Sequence, residues 1–256
     1  MNGGKNMLEI KNLSYQYPKS KVDSLKNLTL TIENGKLNVL LGKNGSGKST
    51  LRKSILGFIK PKQGDVLLDK EKLLKRNYKE KAKRIGYLPQ DIPSSFLSVY
   101  DTLLLGRLPY QNFEIRKTDS DIVYSVAQEL HLLPYLLKNC NELSLGERQI
   151  VRIGKAFVQE TNTLILDEPT SSLDIANQVR ILSLRKNRAK EKNLTILVSL
   201  HDVNLALKFG DVFHVLKDGQ VVYTGGIDGL DGKKLSYAYD LPMSLHKEKG
   251  RTFVTY

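Results

Sequence analysis

The residues Gly42–Thr50 read Gly-Lys-Asn-Gly-Ser-Gly-Lys-Ser-Thr, and their types and spacing could bind phosphate. They follow an apolar run at Leu37–Leu41 and precede a helical pattern at Leu51–Leu56, the context in which G-x-x-x-x-G-K-[ST] holds an anion. The glycines let consecutive N–H groups point at one phosphate, and the positive helix end adds to that field. Lys48 is then expected to reach the β- and γ-phosphates, and the Ser49 hydroxyl to bind Mg²⁺. The alternative is a flexible turn.

A second candidate is the apolar run Leu164–Leu166, which ends in two acids, Asp167 and Glu168. Ligands of open α/β sheets bind at the carboxyl ends of strands, where these side chains would project. Asp167 is expected to hold the hydration shell of Mg²⁺, and Glu168 to orient the attacking water and accept its proton. Two such acids could instead cap a helix or face solvent.

The segment Leu143–Gln149 opens a helix. Ser144 and Glu147 have the spacing of a capping box, which accounts for both residues structurally. A serine and a glycine, here Ser144 and Gly146, at a helix N-terminus also form an anion site suited to a γ-phosphate. The residues alone leave both interpretations open.

Three single residues carry weaker signals. Tyr17, after the first strand, could stack on an adenine ring, although an aromatic at a strand end is more often packing. Gln90 could be a lone polar residue in a turn, and His201 could be a loop histidine with satisfied hydrogen bonds.

The elements that must position these residues follow from periodicity. Alternation predicts strands at Leu8–Leu13 and Leu28–Ile32, and Asn34-Gly35 indicates a hairpin from the latter into Leu37–Leu41. The chain thus begins with antiparallel β structure that leads to the strand before the phosphate loop. Asp218-Gly219 predicts a second hairpin.

Between residues 91 and 158 the pattern is helical. Ser98 and Asp101 form a capping box, and a helix is expected near Asp119–Leu133. Strands and one long helix return afterwards, which is consistent with βαβ units and a parallel sheet. The remaining predicted elements are strands Gly64–Leu68, Ile85–Leu88, Thr163–Leu166 and Leu194–Ser199, and helix Ile175–Lys192.

Composition narrows the class of protein. The 256 residues carry a net charge of +13, which suits an anionic partner such as a nucleotide, a nucleic acid or the inner membrane surface. Aromatic residues are not interleaved for base stacking, so no nucleic-acid partner is expected. The single cysteine, Cys140, excludes an intramolecular disulfide, and no apolar run reaches membrane-spanning length. No signal peptide is recognised, so a cytoplasmic location is expected.

The order and spacing of these motifs resemble the ATP-binding cassette (ABC) family, the nucleotide-hydrolysing subunits of ABC transporters, from Leu8 to about Gly226. The resemblance implies an α/β ABC ATPase fold: a P-loop, RecA-like core with an N-terminal antiparallel β subdomain and an inserted α-helical subdomain. The core comprises residues 1–90 and 159–226, the helical subdomain with the signature motif residues 91–158, and the C-terminal extension residues 227–256.

The resemblance also implies a set of site residues. By this resemblance, the catalytic residues would be Glu168, His201, Gln90 and Lys48. The residues that bind Mg²⁺ would be Ser49, Gln90 and Asp167. The residues expected to bind ATP are Tyr17, Gly42, Lys43, Asn44, Gly45, Ser46, Gly47, Lys48, Ser49, Thr50, Ser144, Gly146 and Glu147. Leu145 departs from the family signature, which has two consecutive glycines, and Glu147 stands in place of a glutamine.

The resemblance further implies the partners. The signature of one copy would cover the γ-phosphate held by the other copy, so a homodimer is expected at the cytoplasmic side of the membrane, as a peripheral subunit. Its partners would be a permease dimer and, indirectly, a substrate-binding protein. The segment Thr102–Tyr110 resembles the Gly-Arg-x-Pro segment of importers for ferric siderophores, haem and cobalamin. Open alternatives are an ABC ATPase for another substrate such as a metal ion, a soluble ABC ATPase acting on ribosomes or DNA, and a P-loop kinase.

Overall fold

The computed structural model describes residues 7–90, 96–111 and 114–256. The strands are β1 Leu8–Tyr15, β2 Leu25–Ile32, β3 Leu37–Leu41, β4 Gln63–Leu68, β5 Glu71–Lys72, β6 Ile85–Leu88, β7 Thr163–Asp167, β8 Thr195–Ser199, β9 Val212–Lys217, β10 Gln220–Gly225, β11 Ser244–Glu248 and β12 Arg251–Thr255. The α-helices are α1 Lys48–Leu56, α2 Tyr78–Ala82, α3 Val99–Leu104, α4 Lys117–Glu129, α5 Leu145–Val158, α6 Ile175–Glu191, α7 Val203–Phe209 and α8 Gly232–Tyr239.

The chain forms two compact units. Unit 1 contains the residues up to Asn77 and those from Leu182 to Tyr256, and unit 2 contains Tyr78–Ile181. No helix in the described part of the chain combines the length and the apolar character that crossing a bilayer requires.

The first sheet of unit 1 has the order β2-β1-β4-β5 and is antiparallel throughout. Alternate residues of β2 are buried from Leu28 to Ile32, the pattern of a strand with one face on the core. Leu8 lies opposite Ile32 in β2 and Leu68 in β4, so the apolar faces of three strands coincide. This sheet is the predicted N-terminal antiparallel β structure.

The second sheet of unit 1 surrounds β3 and determines where the phosphate loop lies. β3 pairs in parallel with β8 and β9, and β9 pairs with β10. All residues of β3 and β8 are buried, as expected for central parallel strands. The predicted hairpin at Asn34-Gly35 is therefore wrong, because β2 and β3 belong to different sheets. Gly35 still makes a turn, with φ 67°, and its N–H donates to the carbonyl of Leu194 at 3.0 Å.

The hairpin predicted at Asp218-Gly219 is confirmed, since β9 and β10 are antiparallel neighbours across it. Both residues have positive φ, 48° and 80°, as a two-residue hairpin turn requires. The chain continues into α8 and the two-stranded sheet β11–β12. These are the last elements of the chain, and they lie within the residues predicted to form a C-terminal extension.

Unit 2 contains the parallel pair β6–β7 and the helices α3, α4 and α5. Its described residues between 96 and 158 contain one isolated bridge, Ser98 to Asn139, and no strand. The Ser98 cap on α3 is confirmed, because its Oγ accepts from the N–H of Asp101 at 3.0 Å. The predicted Asp119–Leu133 helix is α4, which begins earlier, at Lys117, and ends at Glu129.

The Gly106-Arg107 pair of unit 2 has a packing role. A Cβ on Gly106 would lie 2.4 Å from the carbonyl oxygen of Lys155 in α5, so only glycine allows this approach. Arg107 is buried, and its Nε donates to Asp119 Oδ1 at 2.8 Å while its Nη1 donates to the carbonyl of Val158 at 3.0 Å. Arg107 therefore ties α4 to the end of α5.

Candidate functional site

The phosphate loop of unit 1 connects the buried strand β3 to helix α1. Gly42, Gly45 and Gly47 have φ values of 140°, 80° and 105°, in the region that favours glycine. A Cβ on Gly42 would lie 2.3 Å from the carbonyl oxygen of Leu216, and one on Gly47 would lie 2.8 Å from that of Ser24. The loop conformation thus depends on two glycines that neighbouring backbone closely surrounds.

Lys48 begins α1 and is buried. Its Nζ donates to the carbonyl oxygen of Gly42 and, at 2.9 Å, to that of Lys43, so the ammonium group lies inside the curve of the loop. Ser49 is exposed, and its Oγ accepts a hydrogen bond from Arg52 Nη2 at 2.9 Å. Arg52, one turn along α1, carries no role in the sequence-based prediction, although an arginine three residues after a serine in a helix is a recognisable signal.

The other loop residues complete this concave backbone. Asn44 and Gly45 are exposed at the tip, and Ser46 is buried. The Ser46 carbonyl accepts from the N–H of Gly219 at 3.0 Å, which ties the loop to the β9–β10 turn. Thr50 is buried on α1, and its Oγ1 lies 3.4 Å from the hydroxyl of Tyr17. The structure therefore brings Tyr17 to the helix that follows the phosphate loop.

Tyr17 and His201 are the remaining candidates in unit 1. Tyr17 is 36 % exposed, and its ring meets that of Tyr15 edge to face at 4.9 Å. His201 is exposed and follows β8, in which Ser199 lies opposite Leu40 of β3. Because β3 and β8 are parallel, their carboxyl ends meet at one edge of the sheet, and His201 lies at the edge where the phosphate loop begins.

In unit 2 the candidates at the ends of β6 and β7 meet. Leu88 of β6 lies opposite Leu166 of β7 in a parallel register, so the residues that follow each strand lie side by side. Gln90 Nε2 donates to Glu168 Oε2 at 2.8 Å. Asp167 and Glu168 are both buried, and Glu168 has φ 45°, which costs a non-glycine residue about 1 kcal/mol. A buried acid held in a strained conformation with an amide partner is typical of a functional position.

Ser144, Gly146 and Glu147 lie at the start of α5. The capping box is present: Ser144 Oγ accepts from the Glu147 N–H at 3.3 Å, and the Ser144 N–H donates to Glu147 Oε2 at 2.8 Å. Hydrogen bonds from the side chain and backbone of Ser144 hold the pKa of the Glu147 carboxyl below its ordinary value. Leu145 is the first residue of α5 and 67 % exposed, so its side chain fits the helical backbone.

One residue of α5 that the prediction left without a role contacts the segment after the acids. Gln149 is buried, and its Nε2 donates to the carbonyl oxygen of Pro169 at 3.0 Å. A Cβ on Gly146 would meet the carbonyl oxygen of Ser172 at 3.4 Å, an ordinary contact. The helix that begins at Ser144 is thus connected to the turn that follows Glu168, and a glutamine on the apolar face of α5 is the sequence signal for it.

Two further residues without a sequence signal contact the phosphate loop. The hydroxyl of Tyr239, the last residue of α8, accepts a hydrogen bond from the Gly42 N–H at 3.2 Å. Asp240 forms an ion pair with Lys43. The sequence separation is 197 residues for both pairs, and no local pattern reports such a contact.

The donor set fits a magnesium nucleotide. The phosphate loop supplies a glycine-lined cradle that a Cβ at Gly42 or Gly47 would fill, together with the ammonium of Lys48. Mg²⁺ prefers oxygen ligands, and the candidates Ser49, Gln90 and Asp167 offer a hydroxyl, an amide oxygen and a carboxylate. Such a loop before a helix, together with acids at the carboxyl end of a buried parallel strand, defines a P-loop nucleoside triphosphatase.

Comparison with known proteins places the chain within that class. The family described as ABC transporter matches residues 25–171, more than half of the chain. An uncharacterized ABC transporter ATP-binding protein of Methanocaldococcus jannaschii is 35 % identical over 244 residues, covering 95 % of each chain. A probable iron chelatin transport ATP-binding protein of Helicobacter pylori is 33 % identical, covering 93 % of this chain and 94 % of its own. The chain therefore belongs to the ABC transporter family, as one of its ATP-hydrolysing subunits.

Solved structures agree with this family and with the expected ABC ATPase fold. A chain of an inward-facing ABC transporter described as metal-chelate type superposes with a TM-score of 0.83 at 28 % identity, covering 98 % of this chain and 96 % of its own. A dimeric ATP-binding cassette bound to ADP and Pi superposes with a TM-score of 0.78 at 27 % identity, covering 87 % of this chain and all of its own. The alternative of a P-loop kinase is thereby excluded.

Proposed function

We propose that this chain hydrolyses ATP with Glu168 as the general base and Gln90 as the residue that holds it. The hydrogen bond of 2.8 Å from Gln90 Nε2 to Glu168 Oε2 is the observation that carries these roles. A carboxylate whose orientation is fixed can accept a proton from one water molecule in a defined direction. The buried position of Glu168 limits competing contacts with solvent.

The reaction is the attack of a water oxygen on the γ-phosphorus. A new P–O bond forms, the bond from the γ-phosphorus to the bridging oxygen breaks, and ADP leaves with that electron pair. Glu168 accepts the proton of the water. Lys48 exchanges a carbonyl contact for phosphate oxygens, and the N–H groups of the phosphate loop bind the β-phosphate. His201 contacts the γ-phosphate and keeps the water aligned.

Ser49, Gln90 and Asp167 are the residues that would hold Mg²⁺, and the ion supplies charge neutralisation on the phosphates when bound. The ring of Tyr17 is the proposed adenine contact, and this residue is 36 % exposed. At the other half-site, Ser144, Gly146 and Glu147 present the N-terminus of α5 to a γ-phosphate.

Because each chain carries one phosphate loop and one signature, we propose a homodimer in which each copy completes the nucleotide site of its partner. ATP then joins the two copies, and hydrolysis releases them. The dimer would act at the cytoplasmic side of the membrane as a peripheral subunit bound to a permease dimer, with an indirect link to a substrate-binding protein. Residues 1–90 and 159–226 would be its core, residues 91–158 its helical subdomain and residues 227–256 an extension.

The proposed cargo is an iron chelate, a ferric siderophore or a related complex such as haem or cobalamin. Support comes from the Helicobacter pylori relative named for iron chelatin transport and from the structure described as a metal-chelate type transporter. The cargo would contact the permease and the binding protein, so the residues of this chain do not select it. A free metal ion is the competing cargo.

The test combines the state of assembly with partner capture. The Glu168→Gln variant is mixed with Mg-ATP and its mass in solution is measured, and a dimer is expected where the nucleotide-free protein is a monomer. The tagged chain is then captured from solubilised membranes, and a protein with several apolar segments of about 20 residues is expected. A monomer that turns over ATP freely, or capture of ribosomal RNA in place of a membrane protein, contradicts the proposal.

A further inference from the structure

The end of helix α8 contacts the first two residues of the phosphate loop. The Tyr239 hydroxyl accepts from the N–H of Gly42 at 3.2 Å. The carboxylate of Asp240 pairs with Lys43 and, at 2.5 Å, with Lys217 at the end of β9. The C-terminal extension is therefore fixed to the loop by one backbone and one side-chain contact.

These two loop residues are the ones that hold Lys48. The Nζ of Lys48 donates to the carbonyl oxygens of Gly42 and Lys43, the same residues that Tyr239 and Asp240 contact. A shift of Gly42 or Lys43 therefore moves the acceptors of the ammonium group that is proposed to bind phosphate. Tyr239 is thus linked to the Lys48 ammonium group through Gly42, and Asp240 is linked to it through Lys43.

The protonation states of Tyr239 and Asp240 keep both contacts with the phosphate loop at physiological pH. Burial raises the pKa of the Tyr239 hydroxyl, so this group stays neutral and keeps its hydrogen bond at physiological pH. Lys217 and Lys43 lower the pKa of Asp240 to about 2, so its carboxylate stays charged. Asp240 also has φ 53° at the end of α8, where glycine is the favoured residue.

The same extension is fastened next to another predicted site residue. Asn204 Nδ2 donates to the carbonyl oxygen of Val254 in β12 at 3.2 Å, and the Val254 N–H donates to Asn204 Oδ1 at 2.8 Å. Asn204 lies in α7, which begins two residues after His201. The extension thus contacts both the phosphate loop and the helix that follows the histidine.

We propose that Tyr239 and Asp240 are positioning residues for ATP, which fix the first turn of the phosphate loop and thereby place Lys48. This inference rests on the proposed function of that loop and extends it to the C-terminal extension. In this proposal Tyr239 and Asp240 act through Gly42 and Lys43, and their loss weakens binding of the substrate and the transition state equally. Such a change raises KM and leaves kcat in place.

The test is the Tyr239→Phe variant of the full chain, which keeps the buried ring and removes one hydroxyl. Titration with a fluorescent ATP analogue and steady-state kinetics give Kd, KM and kcat. Loss of a single hydrogen bond predicts a Kd and a KM raised about 3- to 10-fold, with kcat changed less than twofold. The matched control is Tyr223→Phe, because the Tyr223 hydroxyl of the parent donates to the Gly226 carbonyl at 2.5 Å. This control variant is expected to bind ATP with the parental Kd.

Asp240→Ala is the second variant, with Asp228→Ala as its control because Asp228 pairs with Lys247 at 3.1 Å in the same extension. Removal of the Asp240 carboxylate also removes its repulsion of the ATP phosphates, which by itself would tighten binding. The titration is therefore made at 0.5 M salt, where interactions between exposed charges are screened beyond about 4 Å. A Kd raised about 2- to 5-fold is expected for Asp240→Ala alone. Tighter binding there contradicts a positioning role for Asp240.

Failure of this inference is distinguishable from failure of the proposed function. If the parent binds ATP, Lys48→Ala abolishes binding and Tyr239→Phe binds like the parent, the positioning role is wrong and the function of the loop stands. If Tyr239→Phe lowers the melting temperature but its folded form keeps the parental Kd, the contact is only structural and the inference also fails. A parent that binds no ATP overturns the proposed function itself.

Discussion

Replacement of Glu168 by glutamine separates nucleotide binding from hydrolysis. The side chain keeps its shape, and its amide oxygen can still accept from Gln90 Nε2, now 2.8 Å from the carboxylate. The φ of 45° suits glutamine as well as glutamate, so the free energy of unfolding should change by less than about 1 kcal/mol. Loss of a general base lowers kcat about 10²- to 10⁴-fold, or about 3–5 kcal/mol in the barrier.

Single-turnover release of phosphate measures the chemical step, and titration with the ATP analogue measures the Kd, which is expected to stay within twofold of the parent. The control is Glu160→Gln, because Glu160 also has positive φ, 51°, lies in the same unit and is exposed, with an ion pair to Arg107. Its kcat should match the parent. A Glu168→Gln protein that hydrolyses ATP at the parental rate would refute the assignment of the base.

Two other perturbations test the loop and the core of unit 1. Lys48→Ala removes the ammonium group that the carbonyls of Gly42 and Lys43 hold, and equilibrium titration should show ATP binding weakened at least 10-fold with the melting temperature little changed. Burial lowers the pKa of His214 from 6.5 to about 4, so folding favours its neutral form. Stability is therefore complete above about pH 6.5 and falls by about 3 kcal/mol as the pH drops to about 4, and urea unfolding should show a smaller fall for His214→Gln.

The positions of the candidate residues at strand ends were predictable, because polar residues that follow parallel strands lie at the carboxyl edge of the sheet. An apolar run that ends in a polar group, such as Leu164–Glu168, has a single arrangement in a parallel sheet, with the polar group at the carboxyl edge. The rule brings Gln90 to Glu168 once β6 and β7 are neighbours, as their register shows. The phosphate loop was predictable for the same reason, since its motif includes the strand and helix on either side.

The hairpin at Asn34-Gly35 shows where local reasoning fails. The dipeptide predicts a tight turn, and Gly35 does adopt the left-handed conformation. The partner of β3, however, is decided by burial: all five of its residues are inside, so the strand needs neighbours on both edges and cover on both faces. β8 and β9, from the other end of the chain, supply those neighbours.

The contacts of Tyr239 and Asp240 could not be predicted for a different reason. Their partners, Gly42 and Lys43, are 197 residues away, and tyrosine and aspartate at the end of a helix have ordinary local explanations. The path that brings α8 to the loop passes through the β9–β10 hairpin, whose turn donates from Gly219 to Ser46. Only the assembled unit shows that these segments share one surface.

Within unit 2 the conformation of Glu168 depends on helix α5. A glutamate at φ 45° persists only where its surroundings fix it. Its surroundings include the β6–β7 register, the amide of Gln90, the N–H of Ser171, which donates to the Glu168 carbonyl at 3.3 Å, and the bond from Gln149 to the Pro169 carbonyl. Gln149 lies in the same helix that Ser144 caps. The capped end of α5 is therefore connected to the turn beside the proposed base through the helix and one hydrogen bond, without any contact between Ser144 and Glu168 being needed.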